Sequence, residues 1–461
     1  MLGKFGAGIL VLGIAGLGFA PAGYATTLQE ALRQAYQTSP SLESTRAGLR
    51  AQDESVAQAR AGLRPSLSAS ATASQTHSLD AGAGDPIDNF RASLNANLML
   101  FDGGRTRDAI SAAENSVFAM QANLRAAEQG VLLQAAIAYL DVRRDQRLLA
   151  LAKNNVKLIG QQVQATRDRF EVGAVTRTEV ALAEARLAAA KTSLAASKGA
   201  LDLSKEVYRA VIGTAPVNLQ NPPALPALPG SLAEAESIAM REHPAIVAAR
   251  YNEKAAEFDL ARARASRSPT LGLGASVEYS NSTAIFATEQ TNATIALTGQ
   301  VPIYQGGALS SAMRSAAEIL ASRKASTQDA MRSVRQSTAS AWSNVQVARA
   351  SITAARLQIE ASQIAYDGIK EETRLGARTT LDLLDAEQNL LTAKSNLATA
   401  QRDEYVAVFN LLSSMGLLTV ENLALGIPSY DPDVHFDAVK DAPLSTFSGG
   451  KVLDAIADRW N

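Results

Sequence analysis

Residues 374–390 read RLGARTTLDLLDAEQNL, and residues 171–185 read EVGAVTRTEVALAEA. Both carry a Gly-Ala turn, at Gly376-Ala377 and at Gly173-Ala174. Both then run into a threonine with an acid three positions on, Thr379 to Asp382 and Thr176 to Glu179. A threonine at the helix N-cap with an acid at the third helical position is a capping box: each side chain bonds the other residue's backbone N–H. The acid also faces the positive end of the helix. The two passages lie 203 residues apart, so the chain contains a copy of itself.

The copy extends in both directions from these passages. Thr27-Leu28-Gln29-Glu30-Ala31-Leu32 matches Ser231-Leu232-Ala233-Glu234-Ala235-Glu236, and Ser39-Pro40 matches His243-Pro244. Pro65 and Pro269 keep that offset of 204, whereas Tyr139 and Trp342 differ by 203, as expected from one deletion between the blocks. Phe101-Asp102-Gly103-Gly104 matches Tyr304-Gln305-Gly306-Gly307, and these read as junctions where a strand gives way to a helix. The organisation expected is a first repeat over 26–216, a proline-rich linker over 217–230, a second repeat over 231–420 and a tail over 421–461. The linker prolines favour an extended, stiff crossing.

Each repeat shows the same order. A helix is expected over residues 28–63 and again over 232–266. Alternating apolar and polar residues at 67–73, 90–98, 271–279 and 293–303 predict strands with one apolar face. Helical periodicity then runs through 105–170 and 309–373, on the order of 100 Å at 1.5 Å per residue. A shorter helix returns after each glycine turn. Four strands cannot close a barrel, and an open sheet edge cannot sit in lipid. Strands that span a membrane here must therefore share a barrel among several chains. The residues by themselves give a mixed α and β fold class, with long coiled-coil helices and, if the strands span a membrane, a β-barrel shared between chains. A secreted helical structural protein with a β-sandwich end is the alternative of a different class.

The 461 residues carry a net charge of −1, so nothing draws the chain to nucleic acid. Cysteine is absent, which excludes disulfides, thiolate metal sites and a lipid anchor on cysteine. Residues 1–25 combine Lys4, a short apolar run and Gly23-Tyr24-Ala25, and read as a secretory signal peptide. His77, His243 and His435 are far apart in unrelated elements, with no metal spacing among them. No phosphate loop and no nucleophile elbow occurs, so neither an enzyme nor a cofactor site is expected.

The copies differ where charge was added. Asp385 stands opposite Leu182, and Arg378 opposite Val175. Asp382 has a sufficient role in the cap, whereas Asp385 has none there and reads either as a solvated helix face or as a functional residue.

The pair VGAVTRTEVALAEA and LGARTTLDLLDAEQ, with FDGGRT and YQGG inside a duplicated chain, resembles the TolC family of outer-membrane exit ducts. The resemblance implies a homotrimer whose membrane β-barrel, four strands per chain and twelve in all, sits in outer-membrane lipid and is continued by a long α-helical coiled-coil barrel in the periplasm. It implies that Val172, Gly173, Leu375 and Gly376 form periplasmic tips that meet an adaptor protein. Asp382 and Asp385 match inward-facing aspartates that ring the tunnel constriction. Arg378 matches an arginine tying the inner coil to its neighbours, with Thr178 and Glu179 in its partner region. Thr373 stands where the family has a gate tyrosine. The tail, with Tyr430-Asp431-Pro432 and Trp460, resembles type I secretion members. That resemblance implies an ABC transporter behind the duct; small-molecule efflux driven by a proton-coupled pump is the alternative.

Overall fold

The computed structural model describes residues 26–77, 86–284 and 289–440. The expected signal peptide and Trp460 lie outside these residues. Each repeat opens with two helices where one was expected: α1 (Leu28–Thr38) and α2 (Pro40–Ala61), then α5 (Leu232–Glu242) and α6 (Pro244–Ala265) in the second repeat. The break has one cause in both. Proline pushes the preceding residue out of the helical region, and Ser39 and His243 have ψ of 116° and 124°. Each proline then starts the next helix, where its missing N–H costs nothing.

Strands β1 (Ser66–Thr76), β2 (Ile87–Phe101), β3 (Thr270–Ser282) and β4 (Gln290–Gln300) form one antiparallel sheet in the order β1-β2-β3-β4. β4 ends at Gln300, short of the expected 303, because Pro302 has no N–H to offer a ladder. The register aligns Leu67, Ala96, Ala275 and Ile295 in one row and Ala69, Leu94, Val277 and Ala293 in another. These rows share one face. The other face carries the Ser70–Ser93 hydrogen bond of 2.9 Å and the Arg91–Glu278 pair at 3.6 Å. β1 and β4 are the open edges.

From the sheet run α3 (Arg105–Glu171) and α7 (Ala308–Arg374), 67 residues each, and α4 (Arg177–Ile212) and α8 (Thr380–Ser414) return. At the first junction Asp102 accepts from the N–H groups of Gly104 at 3.0 Å and Thr106 at 2.7 Å, which caps the start of α3. Gly103, Gly104, Gly306 and Gly307 all have positive φ, so the two Gly-Gly pairs are turn residues. α3 pairs with α4, α7 pairs with α8, and α3 also touches α6 and α8.

The main core lies where both repeats and the linker meet. Tyr139 is fully buried there, and its hydroxyl donates within 3.0 Å of Thr26 O and 2.7 Å of Gln220 O. The start of repeat one is thereby tied to the linker through α3. The tail re-enters this body. α9 (Asp433–Val439) lies on α2, with Phe436 against Leu49 and Val56 and His435 Nδ1 2.9 Å from Asp53 Oδ2. Among the described residues no helix is long and apolar enough to cross a membrane.

Candidate functional site

The far ends of the two helical pairs are built alike. α3 and α7 stop at Val172 and Leu375, and the chain turns through Gly173 (φ 76°) and Gly376 (φ 81°). The Ala174 and Ala377 N–H groups reach back to the carbonyls of Arg169 and Glu372 at 2.8 Å, closing each helix end. This is the six-to-one bond that a left-handed glycine permits. Val172 and Leu375 point into solvent, 79% and 73% exposed, so each tip presents an apolar side chain beside a glycine.

Thr379 and Asp382 form the full box. Thr379 N–H reaches Asp382 Oδ2 at 3.0 Å, the Thr379 hydroxyl reaches the same oxygen at 2.9 Å, and Asp382 N–H donates to Thr379 Oγ1 at 3.2 Å. The backbone and hydroxyl bonds from Thr379, followed by the nearby Arg378 charge, hold the Asp382 carboxyl below its usual range. In the first copy only half of the box is made: Glu179 N–H donates to Thr176 Oγ1 at 3.3 Å. Glutamate carries one more methylene than aspartate, and here its carboxyl does not return to the cap.

Arg378 bonds Glu372 at 2.9 Å, across its own turn, and not Thr178 or Glu179 of its own chain. Asp385 pairs with Arg186 of α4 at 2.6 Å. One turn of chain therefore separates an aspartate engaged in its own helix from one reaching the other helical pair. Beneath the ion pair, Leu384 of α8 packs into a small apolar cluster with Ile159 and Val163 of α3 and Ala183 and Ala190 of α4. Apolar contact and ion pair together fasten α8 to the α3–α4 coil near the tips. Both charged side chains are about half exposed, so the ion pair contributes on the order of 0–1 kcal/mol.

Two further polar groups sit in this region. Thr373 is 5% exposed and its hydroxyl has no hydrogen-bond partner. Glu387 is 7% exposed with Oε1 unpartnered, and burial pushes its carboxyl up to about 7. Sequence reasoning missed Arg186, Glu372 and Glu387. The signal for Glu387 was faint: it falls where the apolar stripe of α8 should continue, beside Leu383, Leu384 and Leu390, all buried.

The arrangement contains no set of His, Cys, Asp and Glu able to hold a metal among the described residues. What it can do is hold two helical pairs together at one end through weak, separable contacts. The family model "Outer membrane efflux protein" matches residues 31–214 and 237–417, one match per repeat. The chain is 37% identical to "Outer membrane efflux protein BepC" of Brucella suis over 422 residues, 90% of this chain and 91% of the relative. It is 26% identical to "Outer membrane protein TolC" of Escherichia coli, over 90% of this chain and 87% of the relative. It is 25% identical to "Proteases secretion protein PrtF" of Dickeya chrysanthemi, over 80% and 84%. The crystal structure of CusC, a protein that undergoes folding and transmembrane channel formation, superposes with a TM-score of 0.75 over 85% of this chain and 92% of that one, at 17% identity. The duplicated fold, the unpaired strand edges and these matches agree: the chain belongs to the outer membrane efflux protein family, non-enzymatic outer-membrane channels with a barrel shared between chains and a long periplasmic helical part.

Proposed function

We propose that the chain, as a homotrimer, is the exit duct of a three-part export assembly, gated at the Gly173 and Gly376 tips. The observation that carries this is the tip itself, where Leu384 and the Arg186–Asp385 pair hold α8 to the α3–α4 coil. In the gate reading, Asp382 and Asp385 repeat around a threefold axis and give a ring of carboxylates. Their mutual repulsion makes the ring a site for cations. Arg186 offsets one carboxylate in each chain, so the closed ring is less acidic than the sequence alone implies. Arg378, Thr178 and Glu179 line the same region, and Arg378 holds its turn through Glu372 until a neighbouring chain competes for it. A periplasmic adaptor binds the exposed Val172 and Leu375 tips. Opening follows if it favours the separated coils over the packed ones.

The cargo we propose is an exported polypeptide delivered by an inner-membrane ABC transporter. The tail supports this reading through its resemblance to secretion members, as does the similarity to PrtF. The second reading, small-molecule efflux behind a proton-driven pump, is favoured by the higher identity to BepC. Deleting the gene and comparing secreted proteins with sensitivity to toxic compounds separates the two.

Single-channel recording in a planar bilayer tests the gate. The expected result is small, cation-selective current blocked by multivalent cations from the periplasmic side. Asp382→Asn with Asp385→Asn should weaken that block, and Arg186→Gln should strengthen it by freeing Asp385. Block that ignores all three changes would return both aspartates to capping and solvation.

A further inference from the structure

A cavity of about 280 Å³ lies far from the tips, between α3, α7, α8 and the linker. Its lining holds five arginines, Arg143, Arg144, Arg147, Arg356 and Arg402, and one acid, Glu404. Two of the arginines are already neutralised. Arg144 pairs with Asp141 and Asp145, and Arg402 with Asp141 and Asp403, at 2.8 to 3.0 Å. Glu404 has its own cation, Arg349 at 3.6 Å.

Among the described residues, no carboxylate pairs with the other three arginines. Arg143 donates to Leu219 O at 2.9 Å and to Asn221 Oδ1, both uncharged acceptors of the linker. Its Nε is buried without a partner. Arg147 donates to Gln401 and Asn221, again uncharged. Arg356 has no hydrogen-bond or carboxylate partner among the described residues. Arg143 and Arg147 are one helical turn apart, on one face. Burial first, and then the Arg147 charge, hold the Arg143 guanidinium below its ordinary value. A buried N–H left unpaired and like charges left facing each other are both costs that a bound anion removes.

We propose that this cavity binds a small oxyanion of the phosphate or carboxylate class, held by Arg143, Arg147 and Arg356. Guanidinium groups suit both, since their planar fork bonds two oxygens at once. The bound anion would bridge α3 to α7 and clamp the linker residue Asn221 through the arginines that already hold it.

Calorimetric titration of the purified oligomer tests this, in a zwitterionic buffer with chloride keeping ionic strength constant. Inorganic phosphate is one probe and malonate the other, so the arms distinguish phosphate from carboxylate. Arg356→Gln removes a cavity charge without removing any bond seen in the fold. Arg332→Gln, on the same helix well away from the cavity, is the control. The proposal expects saturable binding of one or both probes, weakened tenfold or more by Arg356→Gln and unchanged by Arg332→Gln. Binding of neither probe overturns it. So does binding that survives Arg356→Gln, or that falls equally with Arg332→Gln, because the site would then be elsewhere or diffuse.

Discussion

Asp382 and Asp385 sit three residues apart on one helix, yet their surroundings assign them to different tasks. Asp382 spends its carboxylate on Thr379 and the first turn of α8. Thr379→Ala should cost about 1 kcal/mol of local stability, seen as faster amide exchange in that turn with little change elsewhere. Because the folded Asp382 pKa is depressed, its contribution is present above the ordinary carboxylate range and is lost as pH falls through the folded value. Glu387 works in the opposite sense. Its folded value of about 7 lies above its ordinary 4.5, so on raising the pH the unfolded chain loses the proton first. Stability therefore falls between about pH 4.5 and 7 and is level on either side, a change on the order of 3 kcal/mol per chain. Glu387→Gln should flatten that slope in thermal melts. An unchanged slope would mean that the carboxyl is solvated in the assembled protein.

At the scale of the element, the same glycine serves two purposes. Gly376 at the tip has φ of 81° and open space where a Cβ would stand, so Gly376→Ala meets only the left-handed penalty of roughly 1–2 kcal/mol. Gly416 has φ of 79°, but a Cβ there would lie 2.7 Å from Glu242 O, at the kink between α5 and α6. In the first repeat a Cβ on Gly213 would stand 3.3 Å from the Thr38 hydroxyl, at the kink between α1 and α2. Each returning helix thus ends on the proline kink of its own repeat. Gly416→Ala should lower the melting temperature of the oligomer well beyond Gly376→Ala. Equal effects would show that the kink yields to the methyl group. Ser39-Pro40 and His243-Pro244 stand in the sequence, but one continuous helix was expected across each, because helical periodicity on both sides hides a break that rests on one dihedral.

For the whole molecule, the open edges of β1 and β4 matter most. Within one chain they are three strand spacings apart, roughly 14 Å, beyond the reach of a disulfide. The chain has no cysteine, so an introduced pair is read without background. Ser70→Cys on β1 with Thr294→Cys on β4, joined by a short bifunctional reagent, should give covalent trimers on denaturing gels. Products that stay monomeric would contradict edge pairing between chains. The exposure of Ile295, Leu297, Leu67 and Phe90 on single-chain strands fits the same picture, since that face has no partner until lipid or another chain covers it.

Repetition, period-two strands, long helices, glycine turns and helix caps were legible in the sequence. Each is local, set by backbone sterics and by residues within a few positions of one another. The register of a duplicated chain also reports itself, because Gly173 and Gly376 or Tyr139 and Trp342 can be matched without coordinates. The sequence further showed that Asp385 had no counterpart in the other repeat, but not what it meets. Only tertiary structure decided that it reaches Arg186, 199 residues away, that Arg378 turns back to Glu372, and that Glu387 is buried. It also decided that three arginines without a carboxylate share one cavity beneath the linker. Apart from the Arg378–Glu372 pair, which closes a single turn, these are contacts between helices far apart in the sequence. Their partners follow from how two coils of equal pitch settle against each other, which no short window of sequence contains.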